Sequence, residues 1–458
     1  MLREKYYEWK NWKGMVHTTW NPDGPGAIRI HLIPPRFSLW KFVPSVVILN
    51  GNQILPLNES WAILLTEFIR HLNEHGEKTM TEEELDELLD ETCSEVQKVY
   101  PSASREQLME DLDQMAGVFE DIARGREPKL KIGQMSIGEY APYMKAPHRM
   151  DLMVSSMEKE GKWNCNQKCL HCYAAGQKYA GTKELTTQEW KKVIQVCRNA
   201  GIAQLTFTGG EPTMREDLPE LIGEAKWFIT RLNTNGIRLT KEYCKKLREA
   251  ELDNVQITLY SNNRDIHNCL TGSKHFDQTV EGIKNAVSAG LSVNVNTPLC
   301  TQNQDYVETV KFLKSLGVVY VTCSGLIPTG NAKTEASASM RLSKEEIARC
   351  VGDAAEFCFQ NQMEITFTSP GWLSESFFQE RGMETPSCGA ALSNMAVTPD
   401  GKAVACQSCL DREILGDMLL DDWKKIWKNP KCRRYREYAA KMFKKCPLWE
   451  EEIHEDRE

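Results

Sequence analysis

Apolar and polar positions follow two regimes along the first third of the chain. Ala27 to Leu32 (AIRIHL) alternates with period two, and short apolar runs at Val46 to Leu49 and Gln53 to Leu57 flank Asn50-Gly51. Asn-Gly between such runs predicts a hairpin, because both residues tolerate positive φ. The period then becomes helical. Asn58 or Ser60 caps a helix that carries Trp61, Leu64, Leu65 and Phe68 on one face. Thr81 with Glu84, and Ser104 with Gln107, are capping boxes that open two more helices. Strands followed by three helices predict a winged-helix-like unit over residues 1–124.

Residues 125–149 are rich in Gly, Pro and Lys without periodicity and read as a linker or lid. Over 150–370, β-like runs alternate with helical segments. Strands are expected at 150–155, 204–208, 229–234, 255–260, 292–297 and 318–323, and helices at 187–200, 240–250, 276–289 and 305–316. Such alternation implies parallel pairing with right-handed crossovers. Six units fall short of the eight of a closed barrel. The fold class is therefore α/β, with a partial, open (β/α)6 TIM barrel. Residues 450–458 are a charged tail.

Charge narrows the function. The 458 residues include 56 basic and 64 acidic ones, a net charge of −8. Residues 1–124 hold 12 Lys and Arg against 21 Asp and Glu, a balance of −9. That excess repels phosphate, so nucleic acid is not the expected partner. The acidic run at 81–95 doubles as a solvated helix face, and a short sheet beside it suits capture of an extended peptide by strand addition. No apolar run reaches the ~18 residues of a membrane span, so no membrane partner is expected. The N-terminus has no apolar signal core, which points to the cytoplasm. There the 16 cysteines are expected as thiols or metal ligands rather than disulfides.

Cys165, Cys169 and Cys172 fall in a loop just after the first barrel strand. Three thiolates at such spacing hold three irons of a [4Fe–4S] cube and leave the fourth open. A structural zinc site closes with a fourth ligand, and none lies nearby in the sequence. The Cys-x3-Cys-x2-Cys spacing, with the aromatic-type His171 before the third cysteine, resembles the signature of the radical S-adenosylmethionine (radical SAM) superfamily. The resemblance implies the partial barrel, S-adenosylmethionine chelated at the open iron, and its reductive cleavage to a 5′-deoxyadenosyl radical that takes hydrogen from substrate. Gly209-Gly210-Glu211-Pro212 resembles the family's GGE motif, which receives the methionine ammonium. Asn233-Thr234-Asn235-Gly236 resembles its TNG element. By position, Thr258 and Asn296 are the implied contacts to the cofactor's carboxylate or ribose. His171 and Tyr173, beside the third cysteine, complete the implied cofactor-binding set. No protein acid or base stands out as catalytic.

The last third adds a second cysteine pattern. Cys388 is followed after twelve residues by Gly401 and after four more by Cys406. Met395–Thr398 and Ala403–Ala405 flank Pro399-Asp400-Gly401, a hairpin turn. This resembles the opening of the SPASM and twitch iron–sulfur domains, here over residues 371–449. The dense cysteine cluster that follows in a full SPASM domain is missing, so the resemblance implies one auxiliary cluster, expected as [4Fe–4S]. Its implied ligands are Cys388, Cys406, Cys409 and Cys446, with Cys432 as the alternative to Cys409. Cys93, Cys197, Cys244, Cys269, Cys300, Cys323, Cys350 and Cys358 sit in apolar patterns and read as buried thiols. Among them Cys323, at the end of the sixth strand, is expected nearest the barrel mouth.

Given these domains, the N-terminal unit resembles the recognition element of peptide-modifying radical SAM enzymes, related to the small D protein of pyrroloquinoline-quinone biosynthesis. The domain order implies a maturase of ribosomally made precursor peptides. The leader segment would bind residues 1–124, and the core segment would enter the barrel and receive an intramolecular carbon–carbon or thioether crosslink. A flavodoxin- or ferredoxin-type donor would supply electrons. Epimerisation or backbone excision is the rival chemistry, and a small metabolite such as a tetrapyrrole is the rival substrate.

Overall fold

The computed structural model describes residues 16–20, 28–33, 36–38, 41–43, 45–50, 53–75, 80–124, 126–133, 135, 137–140, 144–441 and 445–449. The chain divides into two compact units, residues 1–148 with 198–203, and residues 149–197 with 204–458.

In the first unit, β1 (Val16–Trp20), β2 (Ile28–Ile33), β5 (Ser45–Leu49) and β6 (Gln53–Leu57) form an antiparallel sheet in that order. A separate ribbon joins β3 (Arg36–Ser38) to β4 (Lys41–Val43). Three helices follow, α1 (Glu59–His75), α2 (Glu82–Val99) and α3 (Arg105–Ala123). Both capping boxes form, at Thr81 with Glu84 and at Ser104 with Gln107. Asn58 is the residue that caps α1, its Oδ1 accepting from the Trp61 N–H at 2.8 Å. The β5–β6 hairpin is present with Leu49 opposite Gln53, and Asn50 has φ 49°; Gly51 lies outside the described residues. Sheet and helices enclose a core that includes Leu32, Val47, Leu55, Ile63, Val96 and Phe119.

One expectation changes here. The sequence pattern showed three strands, whereas the sheet has four. Val-His-Thr-Thr-Trp of β1 is too polar to stand out alone, and pairing along β2 from Val16↔Leu32 to Trp20↔Ile28 makes it a strand. The segment expected as a linker or lid falls within the first compact unit. The Met135 N–H donates to the Ile54 carbonyl at 2.9 Å, supplying a partner to edge strand β6.

The second unit is built on a ten-stranded sheet. Its strands are β7 (Arg149–Ser155), β10 (Gln204–Gly209), β11 (Ile229–Thr234), β12 (Asn254–Thr258), β13 (Ser292–Pro298), β14 (Tyr320–Ser324), β15 (Glu364–Phe367), β16 (Asn394–Val397), β17 (Lys402–Val404) and β18 (Gly416–Asp417). The order is β15-β14-β13-β12-β11-β10-β7-β16-β17-β18, parallel from β15 through β16. Helices α4 (Thr187–Ala200), α5 (Leu218–Glu224), α6 (Lys241–Glu249), α7 (Arg264–Thr271), α8 (Phe276–Ser288) and α9 (Tyr306–Ser315) lie between the strands in sequence. All six expected barrel strands are present. The sheet is an α/β parallel sheet consistent with a partial barrel, and it runs further than six strands.

The parallel stretch gains β15 and β16, and β17 and β18 follow β16 antiparallel. The hairpin expected to begin a separate C-terminal domain is instead hydrogen-bonded into the barrel sheet, with Asn394↔Arg149 through Val397↔Leu152. Pairing between such distant residues leaves no local signature, so the pattern could not show it. Strands β11 to β13 alternate strictly. Leu232, Val255, Ile257 and Val295 are fully buried, and Asn233, Gln256 and Asn294 between them are half-buried. Cys323 falls on the buried side at 0% exposure and does not line the mouth; Cys269 is exposed rather than buried. Among the described residues no helix is long and apolar enough to cross a membrane.

Candidate active site

After β7 comes the two-residue pairing of β8 (Glu158–Lys159) with β9 (Lys162–Trp163), and then the loop that carries the first three cysteines. An irregular segment must find partners for its backbone groups outside itself. The Lys168 and Leu170 N–H groups donate to the carbonyls of Thr271 and Leu270 at 3.0 and 2.9 Å. Asn331 donates twice, from its side chain to the Cys169 carbonyl at 3.2 Å and from its backbone to the Cys172 carbonyl at 2.9 Å. The Trp163 indole N–H donates to the Gln167 carbonyl at 2.7 Å.

Two glycines let other segments come this close. Gly272, with φ 58°, ends α7, and a Cβ there would stand 2.6 Å from the Lys168 carbonyl oxygen. Gly330, with φ 56°, would place one 2.3 Å from the Tyr173 carbonyl oxygen. Sequence reasoning missed both, together with Asn331. A glycine after a helix signals a C-cap, but nothing local tells what approaches it.

The three thiols sit half-exposed on this loop. Burial pushes Cys165 up to about 12, and the negative charges of Glu211 and Cys172 push the same way. Burial likewise raises Cys169, reinforced by Cys172 and Cys165. Bare thiolates are thus disfavoured, and bound iron is the charge that would stabilise them. Three neighbouring thiols whose thiolate forms repel one another fit an iron cluster, whose positive charge would offset that repulsion.

Glu211 is 1% exposed, and burial raises its pKa. Its Oε1 accepts from the Thr213 N–H at 3.1 Å and from the Thr213 and Thr234 hydroxyls, both at 2.6 Å. Its Oε2 accepts from the Asn235 N–H at 2.8 Å. The Asn235 side chain in turn donates to Asn166 in the cysteine loop at 2.6 Å. The GGE-like and TNG-like segments are therefore joined to each other and to the loop. Gly209 has φ 142°, and a Cβ there would lie 2.2 Å from the Ser155 carbonyl oxygen, so β7 and β10 approach too closely for any other residue. Gly210 donates its N–H to that same carbonyl at 2.8 Å.

Thr258 and Asn296 are direct cross-strand neighbours at the ends of β12 and β13. Asn296 accepts from the Thr322 hydroxyl at 3.0 Å. His171 is buried, lowered to about 4 by that burial, with Nε2 3.1 Å from the Met340 sulfur. Tyr173 packs in an apolar cluster with Met153, Ala396 and Leu410, and burial raises its phenol.

Cys388, Cys406, Cys409 and Cys446 form one group. Burial raises Cys388, with Cys446 and Cys406 adding to it; the hydrogen bond with Cys406 and then burial raise Cys409, with the charges of Cys406, Cys446 and Cys388 adding. The Cys409 thiol hydrogen-bonds to Cys406 and lowers it. Cys432 stands apart at 0% exposure on the helix Pro430–Lys441, accepting from Arg436 at 3.5 Å. The structure therefore brings Cys409, not Cys432, to the group. Among the described residues no three such side chains converge tightly enough for a single metal ion. Residues 406–411 are tied to the segment after the first cysteine loop. The Tyr179 N–H donates to the Leu410 carbonyl at 3.0 Å, and the Asp411 N–H to Gln177 Oε1 at 3.0 Å.

Comparison with known proteins agrees with this geometry. Residues 164–313 match the radical SAM superfamily, and residues 388–448 match the SPASM iron–sulfur cluster-binding domain. The chain carries both domains. A radical SAM domain therefore lies at residues 164–313 and an iron–sulfur cluster-binding domain at residues 388–448. In sequence it is similar to the probable GTP 3′,8-cyclase of Thermococcus kodakarensis, 36% identical over 134 residues, which are 29% of this chain and 43% of that protein. The probable GTP 3′,8-cyclase of Methanopyrus kandleri is 37% identical over 166 residues, 36% of this chain and 52% of that protein. The chain thus spans about half the length of the curated relatives it matches. In fold it is similar to Streptococcus suis SuiB bound to precursor peptide SuiA, with a TM-score of 0.54 and 14% identity, covering 84% of this chain and 85% of SuiB. It is also similar to anSMEcpe with bound AdoMet, with a TM-score of 0.51 and 16% identity, covering 64% of this chain and 81% of that one.

Gly272→Ala puts a Cβ against the Lys168 carbonyl and forces a strained φ, so the cysteine loop must shift. We expect the reconstituted variant to lose about four irons per chain, one cube's worth, and to keep the auxiliary cluster. Iron analysis with visible absorption spectra checks this; full iron content would show that the loop tolerates the shift.

Proposed function

We propose that this chain modifies a ribosomally made precursor peptide and installs an intramolecular crosslink, carbon–carbon or thioether. The observation that carries the reading is the first unit, an antiparallel sheet with three acidic helices, ahead in sequence of the radical SAM and SPASM domains. We take it as a winged-helix-like recognition element that holds the leader by strand addition at a sheet edge. The likeness to SuiB supports this. It covers 84% of the chain, whereas residues 149–458 make up only about two thirds, so it extends into the first unit. SuiB in that structure is bound to a precursor peptide. The similarity to GTP 3′,8-cyclases spans 134 to 166 residues, about the length of the radical SAM domain alone.

In this reading Cys165, Cys169 and Cys172 each hold one iron of the first cluster. Gly209 and Gly210 allow close approach of the cofactor's amino acid moiety, and Glu211 Oε2, with one protein donor, accepts from its ammonium. Thr258 and Asn296 contact its carboxylate or ribose. Cys388, Cys406, Cys409 and Cys446 hold one auxiliary cluster. When bound, the first cluster with S-adenosylmethionine supplies a hydrogen-abstracting 5′-deoxyadenosyl radical, and the auxiliary cluster supplies an acceptor for the second electron that a crosslink must lose. A flavodoxin- or ferredoxin-type protein is the electron donor.

Glu211→Gln should weaken S-adenosylmethionine binding by roughly tenfold to a hundredfold, the worth of a charge-assisted hydrogen bond at about 1.5–3 kcal/mol. Equilibrium dialysis measures it; an unchanged Kd would leave Glu211 a purely structural hub. For the auxiliary site, Cys409→Ala should remove that cluster's iron, and Cys432→Ala should leave it bound. The reverse pattern would exchange their roles.

The functional reading itself is tested with the anaerobically reconstituted chain and short peptides encoded beside its gene. A crosslink appears as loss of two hydrogen atoms per product, and epimerisation leaves the mass unchanged. Removing residues 1–148 should cut modification by a hundredfold or more, because the leader no longer raises the core's effective concentration. Undiminished modification by the shortened chain would refute leader capture.

A further inference from the structure

We propose that Arg231 anchors a carboxylate of the substrate on the inner face of the barrel sheet, an inference that rests on the peptide reading above. The register lays out this face strand by strand. Asp151 on β7 pairs with Thr206 on β10, Thr206 with Arg231 on β11, and Arg231 with Asn254 on β12. Two residues nearer the cysteine loop, Asn233, Gln256 and Asn294 share the next row. The residues between the two rows, such as Leu232 and Val255, are fully buried. Polar residues in the middle of a sheet that stay half-buried border internal space, not packed side chains.

Among the described residues, four buried polar atoms in this patch have neither a hydrogen-bond nor an ion-pair partner: Thr206 Oγ1, Arg231 Nε, Asn233 Oδ1 and Asn254 Oδ1. Such atoms are rare in a native protein, and four together mark a place where something else supplies the partners. Charge identifies it. Arg149 is ion-paired with Asp151, Nε to Oδ1 at 3.0 Å, so that cation and that carboxylate cancel. Among the described residues Arg231 bonds only to the neutral Gln256, Nη2 to Oε1 at 2.7 Å. Burial lowers Arg231 to about 10, with the Arg149 guanidinium adding to it and the Asp151 carboxylate opposing, so two guanidinium groups share one carboxylate here.

The patch therefore carries one uncompensated positive charge on a planar fork of donors, which matches a single carboxylate bidentately. A phosphate dianion would overshoot that charge. Arg231 lies four residues before Asn235, about 13 Å along the strand at 3.3 Å per residue. The anchor thus sits well below the Glu211–Asn235 contact, leaving room for substrate between the two. In a peptide the carboxylate comes from an Asp or Glu side chain or from the C-terminus.

Calorimetric titration of the reconstituted full chain tests this with four probes: N-acetyl-glutamate α-amide, N-acetyl-glutamine α-amide, N-acetyl-glutamine free acid and inorganic phosphate. At least one carboxylate probe should bind tenfold or more tighter than the neutral diamide, and the tighter of the two acids tells side chain from C-terminus. Arg231→Gln should erase that preference. Arg231→Lys, which keeps the charge but not the fork, should retain part of it and serves if the Gln variant does not fold. Equal binding of acid and neutral probes, an unchanged preference in Arg231→Gln, or phosphate binding tighter than either acid would overturn the anchor. None of these probes needs the precursor peptide. A chain that prefers the acids but modifies no peptide would overturn the functional reading and leave the anchor standing.

Discussion

The buried carboxylate of Glu211 is the interaction on which the site depends. Taking a carboxylate out of water costs several kcal/mol unless hydrogen bonds replace the lost hydration. Here four protein donors replace it, from Thr213, Thr234 and Asn235. Those donors sit at the ends of two neighbouring strands, and Asn235 continues the chain of bonds to Asn166. One charge thus holds three segments, far apart in sequence, in a single arrangement. The glycines before it serve the same end, since only a residue without a side chain lets β10 lie so close to the Ser155 carbonyl. A structural account of Glu211 and a cofactor-binding account are compatible, because its second oxygen has a single protein donor.

Much of this was legible from residue patterns because it rests on short-range chemistry. Capping boxes at Thr81 and Ser104 need only two intervening positions, and both form. The barrel strands were readable from apolar runs bounded by turns. The first cysteine loop and the Gly-Gly-Glu segment are contiguous and could be read directly. What escaped were features made by contacts between distant residues. Gly272, Gly330 and Asn331 support the cysteine loop from segments more than 90 residues away. The choice between Cys409 and Cys432 was open in the sequence, because spacing alone does not tell which thiol turns toward Cys388 and Cys446. The fold separates them, placing Cys432 beside Arg436 on a helix.

The inner face of the sheet shows a different kind of oversight. Strands of parallel α/β sheets are usually apolar on both faces, since helices or packed side chains cover each. Asn-Val-Gln-Ile-Thr in β12 and Ser-Val-Asn-Val-Asn-Thr in β13 break that habit on alternate residues. The alternation was visible and served only to recognise strands. Its second meaning is an interior that stays polar, which a chain tolerates where a ligand or water meets those groups.

The pairing of β16 with β7 has a bearing on how the molecule is made. Strand β7 gains its second neighbour only from a segment about 245 residues further along the chain, Asn394 opposite Arg149. Contacts of such sequence separation close late, after most loop entropy has been lost. During synthesis, therefore, β7 waits as an exposed edge while nearly all the remaining chain leaves the ribosome, with the cysteine loop hanging directly from it. A nascent chain in that state offers an open strand and uncommitted thiols together.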